Sequence, residues 1–262
     1  MTTSIERPAT AGDRLMAPVA RWIVGIAALL ALAALVVVGL FVAPPDDVQG
    51  DAQRLMYVHV PAAWLAYLAF AVTALGSGLY LWPRTRSYVW DRVAGASAEL
   101  GVIFTGLTLL LGSMWGRPVW GVWWAWDARL VTTAVLFFLY LGYLALRRIP
   151  AAADVRAKRC AIAALIAFVD VPIVHFSVTW WRTLHQEATV FNPELDAKIE
   201  GSMALALWIG VLAFTLLYVY LLDLRYRLEV LDEDRDEREL EAAIADRVQG
   251  GVPAREAVGV SS

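Results

Sequence analysis

Two of the three histidines in this 262-residue chain have surroundings that suggest chemistry. His59 lies in the stretch Arg-Leu-Met-Tyr-Val-His-Val-Pro (54–61), and His185 lies in Trp-Trp-Arg-Thr-Leu-His-Gln (180–186). A neutral imidazole is a good ligand for transition metals, iron among them. Each histidine taken alone could also be an ordinary polar residue at a membrane interface. The pair is informative because an unusual aromatic segment lies between them in the chain.

That aromatic segment has five tryptophans within twelve residues, interrupted by Gly116, Pro118 and Gly121. The tryptophans are Trp115, Trp120, Trp123, Trp124 and Trp126. One explanation is an interfacial aromatic belt, in which indole rings lie at the level of the lipid headgroups. A belt usually takes one or two rings from each helix end, whereas here one loop supplies five. The density favours an aromatic platform for a large planar ligand, and two flanking histidines suit the axial positions of a haem iron.

Arginines in the same segments could bind the two propionates of a haem, because the planar guanidinium pairs well with carboxylates. Arg54 and Arg129 flank the histidine and tryptophan segments and are the first candidates. A competing interpretation is that Arg129 pairs with Asp127 for structural reasons. His175 and Asp170 are expected inside a helix. The simplest role of His175 is a hydrogen bond to a neighbouring helix. A carboxyl group inside the membrane is energetically costly, and the function of Asp170 stays open.

The elements that position these residues are transmembrane helices. The chain is 60% hydrophobic and 18% charged with a mean hydropathy of +0.58, so a bilayer must solvate most of it. The predicted fold is an all-α bundle of six transmembrane helices. The predicted spans are Trp22–Ala43, Pro61–Trp82, Val93–Met114, Leu130–Leu146, Cys160–Trp180 and Met203–Leu222.

The distribution of Lys and Arg predicts the orientation of the bundle. Thirteen basic residues fall in one set of segments and five in the alternate loops, so both termini are expected in the cytoplasm. Loops 44–60, 115–129 and 181–202 then face outward. The predicted division is a cytoplasmic tail over 1–20, a membrane domain over 21–222 and a charged cytoplasmic tail over 223–262. The last tail is acidic, and nothing in the charge distribution indicates nucleic-acid binding.

Several enzyme classes lack their motifs in this sequence. Cys160 is the single cysteine, so there is no CxxC redox pair and no intramolecular disulfide. The phosphate-binding GxxxxGK[ST] loop is missing, as are a nucleophile elbow and metalloprotease histidine spacings. The sequence therefore shows no hydrolase or redox motif and favours a binding function over these enzyme activities.

The segment Trp-Gly-Arg-Pro-Val-Trp-Gly-Val-Trp-Trp-Ala-Trp-Asp-Ala-Arg-Leu (115–130) resembles the tryptophan-rich WWD signature of haem-handling proteins in cytochrome c assembly. Within that superfamily the chain is similar to the cytochrome c maturation protein C family, also called haem exporter protein C. The resemblance covers about residues 21–222, and segments 56–64 and 180–186 support it. Relatives that ligate haem to the apocytochrome are larger, with more histidines.

The resemblance implies a cofactor, a site and partners. His59 and His185 would be the axial ligands of haem b, and the five tryptophans with Asp127 would present it, near Arg54 and Arg129. The family loads haem covalently onto a membrane-anchored periplasmic chaperone (CcmE-like) at the outer face of the bacterial inner membrane. It works with a small single-helix subunit (CcmD-like) and ATP-binding-cassette subunits (CcmA- and CcmB-like). Two rivals stay open: a b-type electron carrier that keeps its haem, and a haem-free scaffold.

The orientation of loop 115–129 is the first testable prediction. Because the basic residues accumulate on the other side, a reporter enzyme that is active only outside the cytoplasm should be active when fused within this loop. The same reporter should be active when fused within 44–60 or 181–202. Reporters fused after Arg84 and after Arg148 serve as controls and should report the cytoplasm. A cytoplasmic signal from loop 115–129 would contradict the site assignment.

Overall fold

The computed structural model describes residues 15–185, 199 and 201–250. These residues form helices and no β-strand, and six stretches are long and apolar enough to cross a membrane, which confirms the predicted all-α six-span fold. The fifth span is built from two helices that meet at Val169. The helices are α1 Pro18–Val37, α2 Met56–Leu81, α3 Tyr88–Trp120, α4 Ala128–Arg148, α5 Ala153–Phe168, α6 Asp170–Trp180 and α7 Gly201–Gly250.

The spans extend beyond their predicted limits where candidate site residues lie. α3 continues to Trp120, so Trp115 and Trp120 belong to its last two turns. The prediction that both lie in loop 115–129 is wrong. Pro118 does not stop the helix. Instead, α3 ends at Gly121, whose positive φ of 77° suits glycine and whose N–H donates to the Arg117 carbonyl over 3.1 Å.

The start of α2 also differs from the prediction. The helix begins at Met56, which places His59 within its first turn and not in the preceding loop. Pro61 lies inside the helix and has no N–H to offer the Tyr57 carbonyl. Gly210 of α7 packs against this point, where an added Cβ would lie 2.8 Å from the Tyr57 oxygen. The close approach of α7 therefore covers the gap in the helical bonding.

The centre of the bundle is the pair α2 and α3. α1 and α7 pack on one side of this pair, and α4, α5 and α6 pack on the other. Phe70 of α2 stacks on Tyr140 of α4 with ring centroids 3.7 Å apart, and its ring lies directly over Gly101 of α3. A Cβ at Gly101 would come within 2.4 Å of that ring, so glycine is required for this contact.

The outer surface of the bundle is apolar, as a lipid-facing surface must be. α1 exposes most of its side chains, among them Trp22, Ile26 and Leu29. α4 likewise exposes Phe138. Acyl chains are the natural solvent for such faces, and the chain is a multi-pass membrane protein.

The end of the bundle away from His59 is held by buried ion pairs. Arg147 of α4 bonds to Asp91 of α3 over 2.8 Å and also to Glu229 of α7. Arg156 of α5 pairs with Glu233 of α7 over 2.8 Å. α7 runs without a break from Gly201 to Gly250, so the predicted boundary at 222/223 falls inside one continuous helix. These pairs fix the charged part of α7 onto three other helices.

Removing Arg147 should destabilise the protein strongly. In Arg147→Met the carboxylates of Asp91 and Glu229 stay buried without their guanidinium, which costs about 3–5 kcal/mol in comparable buried pairs. The thermal unfolding midpoint of the purified protein in detergent measures the loss. Arg235→Met is the matched control, because Arg235 pairs with Glu239 on an exposed surface. Equal midpoints for the two variants would show that the buried network does not hold this end together.

Candidate functional site

The ends of α2, α3 and α4 and the segment 181–185 enclose a cavity of about 270 Å³ at one end of the bundle. His59, in the first turn of α2, and His185, in the segment after α6, both line it. Most of the wall is apolar or aromatic, with a few polar side chains. The cavity-lining residues are Gln49, His59, Thr108, Leu109, Gly112, Ser113, Trp115, Gly116, Val119, Trp120, Trp124, Arg129, Leu130, Thr133, Leu184 and His185.

His59 is held in a narrow place against α3. Its side chain is 8% exposed, and its ring meets the edge of Trp115 with centroids 5.7 Å apart. Gly112 provides the space for the ring, since a Cβ there would lie 3.0 Å from the His59 Cε1 atom. Among the described residues, none bonds to the buried His59 Nδ1 atom. The packing therefore fixes the imidazole while leaving Nδ1 without a partner in the described part of the chain.

His185 lies at the end of the described segment 181–185. Its main-chain N–H donates to the Thr183 hydroxyl over 3.0 Å, which folds the segment into a tight turn. Its ring meets Trp120 with centroids 6.2 Å apart. Each histidine therefore contacts one tryptophan on the last two turns of α3. The helix sets the separation between these two tryptophans.

The five tryptophans divide into two groups. Trp115, Trp120 and Trp124 line the cavity, whereas the side chains of Trp123 and Trp126 are 60% and 87% exposed. The bend after α3 causes this division, and the Ser113 hydroxyl holds it by donating to the Trp123 carbonyl over 2.7 Å. The aromatic segment thus has a cavity-lining part and an exposed part.

Asp127 joins two sides of the site. Its carboxylate caps α4 by accepting from the Arg129 N–H over 2.9 Å, and it accepts from the Leu184 N–H over 2.7 Å. Burial raises the pKa of Asp127, but hydrogen bonds from Thr183 and from main-chain N–H groups outweigh it and leave the pKa below its ordinary value. The charged carboxylate therefore fixes segment 181–185, and with it His185, to the start of α4.

Arg129 and Arg54 have different positions. Arg129 lines the cavity and donates from Nη2 to the His175 carbonyl over 2.8 Å, while its buried Nε has no partner among the described residues. Arg54 is not among the cavity-lining residues. It bonds through Nε to Asp51 over 2.8 Å and through Nη1 to main-chain carbonyls at the end of the first span.

His175 and Asp170 lie away from the cavity, in α6. The His175 ring is 6.3 Å from the Tyr67 ring and 4.9 Å from the Phe176 ring, centroid to centroid. Asp170 starts α6, and its buried Oδ2 atom has no partner within the described part of the chain. The carbonyl of His175 contacts the site indirectly, by anchoring Arg129.

Gln49 is a cavity-lining residue that the sequence analysis missed. Its Oε1 atom accepts a hydrogen bond from the Trp115 indole N–H over 2.8 Å. The run of Pro44, Pro45, Asp46 and Asp47 before it indicates a turn. No local pattern indicates which side chain of that turn would point toward α3, and Gln186, which lay in the predicted motif, is outside the described residues.

A family model and individual relatives both match this chain to the same family. The family model described as heme exporter protein C matches residues 3–241. The heme exporter protein C of Haemophilus influenzae is 40% identical over 200 residues, which cover 76% of this chain and 80% of that protein. This chain belongs to the heme exporter protein C family.

Other relatives extend the match across distant organisms. The heme exporter protein C of Escherichia coli strain K12 is 36% identical over 213 residues, covering 77% of this chain and 82% of that protein. A protein of Arabidopsis thaliana named as a putative cytochrome c biosynthesis ccmC-like mitochondrial protein is 35% identical over 81% of this chain and 77% of its own length. The region matched by the family model contains all the cavity-lining residues and both histidines of the site.

Removing the Asp127 carboxylate should release segment 181–185. Asp127→Ala loses the hydrogen bonds that the carboxylate accepts from the Arg129 and Leu184 N–H groups and from Thr183, which we expect to cost about 1–3 kcal/mol and to speed hydrogen exchange at the Leu184 amide. Asp154→Ala, in the first turn of α5, is the control and should leave that amide unchanged.

The same contact should depend on pH. The folded-state pKa of Asp127 is depressed, so its stabilisation is complete above the ordinary value of 3.8 and is lost as the pH falls through the lower folded-state value. Protection at Leu184 in the unsubstituted protein should therefore fall only below about pH 4. Protection that disappears near pH 6 would show that another group controls the segment.

Proposed function

We propose that this chain handles haem for c-type cytochrome biogenesis by binding haem b in the cavity and delivering it to a periplasmic, membrane-anchored chaperone. The observation that carries the proposal is that His59 of α2 and His185, which follows α6, line one aromatic-walled cavity. The names of the relatives support it, since they refer to heme export and to cytochrome c biosynthesis. Haem is the cargo of this protein and leaves it with the chaperone.

The side chains present fit a haem better than a simple metal ion. A porphyrin supplies four nitrogen ligands and asks the protein for two axial ones. Among the described residues no three His, Cys, Asp or Glu side chains converge to bind a metal ion, whereas two imidazoles do share a cavity. The His59 nitrogen that has no partner among the residues the structure describes, beside Gly112 and Trp115, is suited to ligation.

The division of the tryptophans supports delivery to a partner. Trp115, Trp120 and Trp124 offer apolar surface to the porphyrin, and Arg129 offers a guanidinium to a propionate. Trp123 and Trp126 are exposed beside the cavity and would contact the chaperone. The chaperone's own histidine would add to a haem vinyl group: its nitrogen bonds to one vinyl carbon, the double bond becomes a single bond, and the imidazole proton goes to the other carbon, while this protein supplies position.

The remaining assignments concern location and assembly. Both termini lie in the cytoplasm, and the haem site faces the periplasm at the bacterial inner membrane; the excess of Lys and Arg on the other side supports this orientation. The partners are the haem chaperone, a small single-helix subunit and ATP-binding-cassette subunits. The word "exporter" in the relatives' names fits such an assembly.

A b-type electron carrier would also bind haem, and a scaffold would bind none. The exposed tryptophans favour transfer over permanent retention, because a carrier has no need to present haem to a second protein. Mixing the haem-loaded protein with the apo-chaperone separates the three cases. Transfer of haem supports the proposal, retention favours the carrier, and absence of haem favours the scaffold.

Substituting either histidine should change the haem spectrum. Purified wild-type protein should show a low-spin spectrum, whereas His59→Ala and His185→Ala should each weaken haem binding by about a hundredfold or more and lose the low-spin signature, because one axial ligand is gone. His175→Ala is the control, since His175 is outside the cavity, and should retain the spectrum. Haem that keeps a low-spin spectrum in both histidine variants would contradict the bis-histidine site.

A further inference from the structure

Arg54 closes the end of the first span instead of facing the cavity. α1 continues as a π-helical turn over Val38–Val42, and the Ala43 N–H bonds back to the Val38 carbonyl over 2.8 Å. The Arg54 Nη1 atom then donates to the carbonyls of Gly39 and Ala43, the latter over 3.0 Å. These are carbonyls that a helix end leaves without an intrahelical partner.

The same guanidinium fixes both ends of the loop 44–50. It bonds to Ala43 before the loop and to Asp51 after it, over 2.8 Å from Nε. Within the loop, the Gly50 N–H donates to the Asp46 carbonyl over 2.9 Å, and the Asp46 carboxylate accepts from the Gln49 N–H over 2.7 Å. Gly50 has a φ of 56°, which glycine adopts without strain. The position of Gln49 is thus fixed by Arg54 and Asp46 together.

The amide of Gln49 has a defined orientation. Because its Oε1 atom accepts from the Trp115 indole N–H, its Nε2 group is left with two N–H donors. No described residue accepts from Nε2, and the side chain lines the cavity. Trp115 in turn contacts the His59 ring, so the amide lies on the same wall as this imidazole.

The cavity otherwise has few groups for carboxylates. Among the described lining residues, Arg129 alone carries a guanidinium. The hydroxyls of Thr108, Ser113 and Thr133 already donate to main-chain carbonyls. Haem carries two carboxylates, so one guanidinium leaves a need for a second donor, and a neutral amide N–H is well suited to a carboxylate oxygen.

We propose that Gln49 donates a hydrogen bond from Nε2 to a carboxylate of the bound haem, and that Arg54 is a positioning residue that acts through the loop carrying Gln49. This inference rests on the proposed function. In this inference the uncharged Gln49 bonds to the haem carboxylate, and Arg54 makes no contact with the haem.

The test compares haem with haem dimethyl ester, which keeps the iron and the ring but has no carboxylate charge. Titrations of the purified protein, followed by absorption, give both affinities. Gln49→Ala should weaken haem binding about tenfold to a hundredfold and leave the ester affinity within about twofold. Gln53→Ala is the matched control, because the Gln53 side chain lies toward Met56, outside the cavity, and should change neither affinity.

Gln49→Glu separates hydrogen bonding to the ligand from support of Trp115. The new carboxylate can still accept from the indole N–H, but it has no donor and repels a propionate. Haem affinity should therefore fall further than in Gln49→Ala, while the ester affinity and the low-spin spectrum stay as in wild type. An equal loss for haem and for the ester would overturn the proposal, since it would mean that Gln49 only supports the packing.

The role of Arg54 is tested by combining substitutions. Arg54→Met should weaken haem binding in the wild-type background. It should cause little further loss when Gln49 is already alanine, because both substitutions remove the same contact between Gln49 and haem. Additive losses would show that Arg54 contacts the ligand itself and would overturn its positioning role. If Arg54→Met does not fold, the Gln49 variants still decide the first part.

The failures can be told apart. A wild-type protein that binds neither haem nor its ester contradicts the proposed function. A wild-type protein that binds both with the same affinity, unchanged in Gln49→Glu, leaves the proposed function standing and overturns this inference alone.

Discussion

In the hydrocarbon core of a bilayer, water cannot bond to a backbone N–H or C=O group, so each must be satisfied within a helix. This constraint confines irregular backbone to the helix ends, and in this chain the cavity is built there. Side chains close two of these ends, since Asp127 caps the start of α4 and Arg54 caps the end of the first span, and the main-chain N–H of Gly121 closes the end of α3. Each of these caps also positions a residue of the site.

The site is rigid on one wall and depends on tertiary bonds on the other. His59, Trp115 and Trp120 belong to continuous helices, so their relative positions follow from helical geometry. His185 follows the end of α6 in a short segment. The hydrogen bond from the Leu184 N–H to the Asp127 carboxylate holds that segment at the cavity.

The opposite end of the bundle is organised by charge. Arg147 and Arg156 bond the long α7 to α3, α4 and α5, so the helix that continues past the membrane span is fixed to the helices that form the cavity. α3 carries Asp91 at this end and Trp120 at the other. One continuous helix therefore joins the two ends directly.

The sequence by itself determined the class of the fold and the candidate residues. Hydropathy placed six spans, and the rarity of histidine together with the density of tryptophan pointed to His59, His185 and the segment 115–126. These signals depend on local sequence or on composition, so they can be recognised in a single sequence. The identity of each span therefore follows from the sequence, although its limits do not.

Only the tertiary structure decided where the helices end and which way the side chains point. Trp115 and Trp120 are helical because α3 continues through Pro118 to Gly121, and α2 begins before His59 where α7 packs closely at Gly210. Arg54 is near the site in sequence, yet it bonds to carbonyls left free at the end of another span. Gln49 shows no local signal, and its role follows from one indole N–H on a distant helix. Helix limits and polar partners depend on contacts between segments remote in the chain, which local periodicity does not record.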